Sequence, residues 1–245
     1  AGLRDSIDNP RRDVDAILVG TFEQLEAARA MPPAHMLLAS TSSAYGANTD
    51  MPYREDMRAD HQMSFYAATK KATENMAHSY AHLYGLPITM FRFFTVYGPW
   101  GRTDMAQFKF TRAILNDEPI DIYNHGYMRR DFTYIDDLTA AILALIDAVP
   151  GAEPVAGDSL SPVAPHRIVN IGNGAPVPLM DFIAAIERAC GRDAIKTFHD
   201  MQPGDVPATW ADATLLETLT RKRPATPIQT GIDAFVAWYR DYYQI

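Results

Sequence analysis

The residues best suited to chemistry lie between Ala39 and Lys70. Tyr66 and Lys70 form a Tyr-x-x-x-Lys pair, and residues four apart on a helix share a face. A free tyrosine, with a pKa of about 10, is a poor base at neutral pH. A neighbouring ammonium favours the phenolate, so the pair suits a general base that later returns its proton as a general acid. The spacing alone is common in helices. It gains meaning from the polar run Ser40-Thr41-Ser42-Ser43 that precedes it. Hydroxyls at the carboxyl end of a parallel strand sit where α/β sheets take ligands. Thr41, Ser42 and Ser43 are therefore candidates to hydrogen-bond a substrate hydroxyl or carboxylate. The plainer alternative is a Ser/Thr turn that satisfies its own backbone.

The elements that would position these groups can be read around them. Asn9-Pro10 reads as the start of a helix, with apolar positions Val14, Ile17, Leu18, Phe22, Leu25 and Ala28 at helical spacing to about residue 29. Met36-Leu37-Leu38-Ala39 reads as a buried parallel strand. A long helix is predicted from Ser64 to Tyr84, stopped by Gly85 at its C′ position, and a strand over 87–93. Residues 94–103 read as a Gly/Pro loop. Beyond it come helices at about 104–116 and 135–148, strands near 120–123, 131–134 and 167–171, and a Pro-rich surface loop over 150–165. The last elements expected are a helix over 179–190, a strand over 195–198, and helices at 212–220 and 230–243. Strand–loop–helix–strand order predicts an α/β fold with a parallel sheet.

The 245 residues carry a net charge of -8, which disfavours non-specific nucleic-acid binding. The one cysteine, Cys190, precludes an intramolecular disulfide and suits a reducing compartment. No apolar run reaches membrane-spanning length, and the residues from Ala1 onward do not read as a signal peptide. A cytoplasmic protein without a membrane partner is expected. His78 and His82 stand four apart, but no third ligand accompanies them, so no metal is expected.

Several further stretches carry a resemblance when taken in order with the two already described. They are Ala1-Gly2-Leu3-Arg4 with Asn9-Pro10, Phe91-Arg92-Phe93-Phe94-Thr95-Val96-Tyr97-Gly98-Pro99-Trp100-Gly101-Arg102, Arg130-Asp131-Phe132-Thr133-Tyr134, and Gln202-Pro203-Gly204-Asp205-Val206. Together they make the chain resemble the extended short-chain dehydrogenase/reductase superfamily of NAD-dependent nucleotide-sugar epimerases and dehydratases. Within it the chain is most similar to the UDP-glucuronate 4-epimerases. The resemblance implies a Rossmann-like doubly wound parallel sheet, its N-terminal part missing, with a smaller mixed α/β substrate-binding domain. It implies a partial NAD-binding domain over 1–95, to which 131–172 returns, and a sugar-nucleotide domain over 96–130 and 173–245.

By the same resemblance, Tyr66 takes the proton of the sugar 4-hydroxyl while hydride passes from C4 to NAD. Lys70 lowers the tyrosine pKa and holds the nicotinamide ribose, and Thr41 contacts the reacting hydroxyl. Phe93 and Val96 would lie against the cofactor. Arg4, Ser42, Ser43, Thr95 and Arg102 would contact substrate, with Arg130 on the diphosphate and Asp205 on the uridine ribose. The related 4,6-dehydratases carry Asp-Glu after the Thr and the decarboxylases a Glu in this stretch. Ser42 and Ser43 stand there instead and cannot do that acid/base work, which favours plain epimerisation. A homodimer through the helices at 10–30 and 64–84 is implied.

Three departures accompany the resemblance. Ile17 stands where the family usually has Asn, and Asp5 and Asp13 stand where Tyr is common. The Gly-x-x-Gly-x-x-Gly loop that cradles NAD pyrophosphate does not occur in the chain, so the sequence is expected to begin inside the dinucleotide-binding half. Gly172-Asn173-Gly174 is a poor substitute. The alternative to an enzyme is accordingly a sugar-nucleotide-binding remnant without turnover.

Overall fold

Strands covered on both faces are rich in apolar residues, and in the first of two compact units Ile88, Met90, Phe91, Val169 and Ile171 are buried, with Arg92 and Asn170 buried among them. A computed structural model describes residues 3–151, 153–201 and 206–245, with side chains from Ser6 onward. In chain order its elements are α1 (Leu3–Asp8), α2 (Pro10–Asp13), a π-helical turn (Val14–Val19), α3 (Gly20–Ala30), β1 (Met36–Thr41), α4 (Phe65–Tyr84), β2 (Ile88–Phe93), β3 (Thr95–Tyr97), α5 (Ala106–Leu115), β4 (Pro119–Ile122), β5 (Arg129–Tyr134), α6 (Ile135–Leu145), β6 (His166–Ile171), β7 (Pro176–Pro178), α7 (Leu179–Cys190), β8 (Ile195–Phe198), β9 (Ala208–Thr209), α8 (Thr214–Thr220) and α9 (Ile228–Tyr243). Short 3-10 turns cover Ser42–Tyr45 and Tyr123–Gly126.

The first unit comprises Ala1–Phe93, Ala141–Ile171 and Ala211–Arg223. Its sheet is parallel, in the order β1-β2-β6. Register aligns Thr41 with Phe93 and Phe93 with Ile171, so the carboxyl ends of all three strands finish level. Leu25 and Ala28 of α3 pack with Ala77 and Ala81 of α4 over Leu86, Ile88 and Met90. Alanines on both helices allow close approach, and each large side chain fully buried there contributes about 1.5–3 kcal/mol. Helix α4 starts where it does because Ser64 Oγ accepts the Ala67 N–H at 3.1 Å. It stops at Gly85, whose φ of 67° is left-handed.

The second unit comprises Phe94–Ala140, Gly172–Trp210 and Pro224–Ile245. Strands β3, β5 and β7 lie in order, with β9 also on β5. Strands β4 and β8 pair separately and in parallel. Its core is aromatic: Phe132 stacks on Phe182 at 4.2 Å, and Phe108 meets Phe235 and Tyr239 edge-on.

Four differences from the sequence reading have physical causes. The helix over 10–30 is interrupted by the π turn at Val14–Val19, which changes phase without disturbing apolar content. The loop over 94–103 contains strand β3, three residues long and too short to show alternation beside Gly and Pro. Strands β7 and β9 are shorter than any periodicity can reveal. Finally, 131–140 lies in the second unit and 211–223 in the first. Residues 211 and 212 are drawn there by Tyr53, which bridges to Ala211 and accepts the Asp212 N–H at 2.9 Å.

Candidate active site

Helix α4 packs on β1 and on the 3-10 turn that follows it. This brings the Tyr/Lys pair to the strand end that carries the hydroxyls. The joint is a direct bond: Lys70 Nζ donates to the Ala39 carbonyl of β1 at 3.1 Å. Burial lowers the Lys70 pKa, and the negative charge of Asp13 opposes that. Tyr66 is half-buried in the first turn of α4. Thr41 caps the 3-10 turn, its Oγ1 accepting the Ser43 N–H at 3.2 Å. That bond uses an acceptor lone pair and leaves the hydroxyl proton for another partner. Ser42 and Ser43 are half-buried on the turn. Phe93 is half-buried at the end of β2, its ring tilted against that of Phe91 with centroids 4.8 Å apart.

Beneath this surface lies a buried polar frame that sequence reasoning missed. Arg92 and Glu74, both 1% exposed at the side chain, form a two-pronged pair at 2.8 and 2.7 Å. Ser40 Oγ donates to the same carboxylate at 2.6 Å, and Lys71 Nζ adds a bond at 3.1 Å. Burial would push the Glu74 pKa up, but the hydrogen bonds and charge of Arg92, with Lys71 and Ser40, hold it at about 2. The Arg92 guanidinium also lies over the Tyr45 ring, 4.4 Å from its centroid, and the Tyr45 hydroxyl donates to Asn170 at 2.7 Å. Two signals pointed this way. Glu74 continues the i, i+4 series of Tyr66 and Lys70, and an Arg inside an apolar strand requires a buried carboxylate.

In the second unit, Thr95 and Val96 lie in β3, paired in register with Phe132 and Thr133 of β5. Arg130 lies in β5, where its Nη1 donates to the Arg129 carbonyl at 2.9 Å. Arg102 forks onto Asp104 at 2.9 and 2.6 Å in an exposed loop, and that bond lowers the Asp104 pKa. Gly172-Asn173-Gly174 is no phosphate cradle: the N–H groups of Asn173 and Gly174 are taken by the Asp131 carboxylate at 2.8 and 3.0 Å. The side chain of Arg4 and all of Asp205 lie outside the described residues.

His78 and His82 bond Ser161 Oγ and the Val163 carbonyl, each at 2.8 Å. Among the described residues no group of three or more His, Cys, Asp or Glu side chains is placed to hold a metal ion. No described helix is long and apolar enough to cross a membrane.

Comparison with known proteins places this geometry in context. A family model described as "NAD dependent epimerase/dehydratase family" matches residues 1–172. A probable UDP-glucuronate 4-epimerase of Rhizobium meliloti (strain 1021) is 54% identical over 249 residues, covering 100% of this chain and 73% of that protein. UDP-glucuronate 4-epimerase 4 of Arabidopsis thaliana is 43% identical over 248 residues, covering 99% of this chain and 56% of its own. Among solved structures, a UDP-glucuronic acid 4-epimerase from Bacillus cereus, in complex with UDP-glucuronic acid and NAD, superimposes with a TM-score of 0.85 at 30% identity. That match covers 99% of this chain and 73% of the other.

Proposed function

Since the chain belongs to the NAD-dependent epimerase/dehydratase family, we propose that it epimerises UDP-glucuronate at C4 to UDP-galacturonate, through a transient 4-keto sugar. The observation that carries this is the bond from Lys70 Nζ to the Ala39 carbonyl. It fixes the ammonium one helical turn from Tyr66, at the strand end that bears Thr41. Tyr66 takes the proton of the sugar 4-hydroxyl and returns it after the sugar has turned over. Lys70 favours the phenolate by its charge. Thr41 steadies the same hydroxyl.

NAD supplies the hydride acceptor and donor and is regenerated in each cycle. At the nicotinamide ribose the donors fit: Lys70 commits one of its three N–H donors to Ala39, which leaves two for a ribose diol. Phe93 is assigned to the nicotinamide face and Val96 to the cofactor. Ser42, Ser43, Thr95 and Arg102 are assigned to the glucuronate, Arg130 to the diphosphate, Asp205 to the uridine ribose and Arg4 to the substrate. The absence of a carboxylate at positions 42 and 43 supports epimerisation over dehydration or decarboxylation.

A homodimer and a cytoplasmic location belong to the same reading. Exposed apolar side chains on the paired helices, Phe22 on α3 and Phe65 and Leu83 on α4, support the dimer. A lone thiol, buried at Cys190, supports the location.

The test is incubation with UDP-glucuronate and NAD, with the sugar nucleotides resolved chromatographically. UDP-galacturonate without carbon dioxide is expected; a UDP-pentose would overturn the reading of Ser42 and Ser43. Tyr66→Phe should lower kcat about 10²–10⁴-fold with substrate affinity retained. Undiminished turnover would remove Tyr66 from its role.

A further inference from the structure

Asp13 is the least comfortable side chain among the described residues. It is fully buried, and neither carboxylate oxygen has a hydrogen-bond partner. A buried carboxylate without partners costs several kcal/mol, so a fold that keeps one without use would be expected to replace it. Asp13 ends α2 at the threshold of the π turn, and both elements pack against α4. Lys71 on α4 and Arg92 on β2 bind Glu74. On α2, Arg11 binds Asp15 in solvent and Arg12 is exposed. Lys70, by contrast, makes its bond to a neutral carbonyl, and Asp13 is the charge that acts on it.

We propose that Asp13 is a positioning residue for Lys70, its buried carboxylate holding the ammonium charged and in place beside Tyr66. This rests on the proposed catalytic role of the Tyr66/Lys70 pair and adds to it a residue from a different helix. The arrangement divides two duties. The Ala39 carbonyl fixes where the nitrogen sits but cannot oppose its loss of a proton. Asp13 supplies the opposing charge without occupying a donor, so the donors of Lys70 stay available for ligand.

The test is Asp13→Asn, which keeps shape and removes charge. The Lys70 ammonium is followed by NMR of the labelled amine, its signal assigned through Lys70→Arg, with Lys71 as internal control. The midpoint of Lys70 is expected to fall by at least one pH unit while that of Lys71 stays within 0.2, on the order expected for loss of one nearby charge. The alkaline limb of kcat/KM should move down in parallel. Combining Asp13→Asn with Lys70→Arg, whose guanidinium stays charged, should abolish that movement. An unshifted Lys70 midpoint would overturn the proposal. A shifted midpoint without epimerase activity would keep the pairing and sink the proposed function instead. Should Asp13→Asn fail to fold, Asp13→Glu provides the second measurement, with a retained Lys70 midpoint expected and a fall of one unit overturning the proposal.

Discussion

Arg92 and Glu74 show what a single buried pair does for a site it never touches. Glu74 grips Arg92 from β2 and Ser40 from β1, one residue before Thr41, so the helix bearing Tyr66 is tied to the strand end that bears the hydroxyls. Removing one partner leaves an uncompensated charge, and Glu74→Gln should cost about 3–5 kcal/mol, measured by chemical denaturation. Linkage gives the pH sign. The folded pKa of about 2 lies below the ordinary 4.5, so this stabilisation is present above pH 4.5 and is lost as pH falls toward 2. Glu55 runs the other way. Burial raises its pKa to about 7, against the Asn170 N–H that it accepts. Its contribution is present below pH 4.5 and is lost as pH rises through 7. Glu55→Gln should therefore gain stability at pH 8 and little at pH 4, read from Tm at both. Tyr66, Lys70 and Thr41 could be singled out as candidates from the sequence because the first two share a helix face and the third follows an apolar run, each with distinctive chemistry. Glu74 with Arg92, and Asp13 with Lys70, could not, because each pairing depends on which elements pack together.

At the scale of elements, legibility followed length. Helices α4 and α7 and strand β2 are long enough for period and cap to agree, and they lie where Ser64, Gly85 and the apolar runs put them. Strands β3, β7 and β9 are held by pairing to β5, a partner that single-segment patterns cannot name. Helix α9 adds a constraint of its own. At Gly231 a Cβ would overlap the hydroxyl and ring of Tyr97. Gly→Ala in a helix interior ordinarily gains about 0.5–1 kcal/mol. Gly231→Ala should instead lose about 1–3 kcal/mol through overpacking, and Gly231→Ala with Tyr97→Phe should recover part of it. A thermal melt of the single and double variants decides the sign.

For the whole molecule, the fold class followed from strand and helix order, and the parallel order β1-β2-β6 agrees with it. The two units were harder, since 211–223 joins the first through contacts with Tyr53 that no local pattern announces. The assembly is also decided at this scale. Phe22 and Leu83 are 43% and 64% exposed on the helices expected to meet a second copy. Replacing both, as Phe22→Asp and Leu83→Glu, should convert the proposed dimer to a monomer by light scattering. An unchanged dimer mass would place the interface elsewhere.

The π turn at Val14–Val19 can be seen as a one-residue insertion that the helix has absorbed. One extra residue advances everything on one side of it by about 100° of rotation relative to the other. Deleting a single residue here would thus leave composition and burial pattern nearly intact, yet swing α2 away from its facing helix and carry Asp13 with it. The address of that carboxylate is written in the counting of residues rather than in their chemistry. A chain with the same side chains and one residue fewer would be a different protein at Lys70.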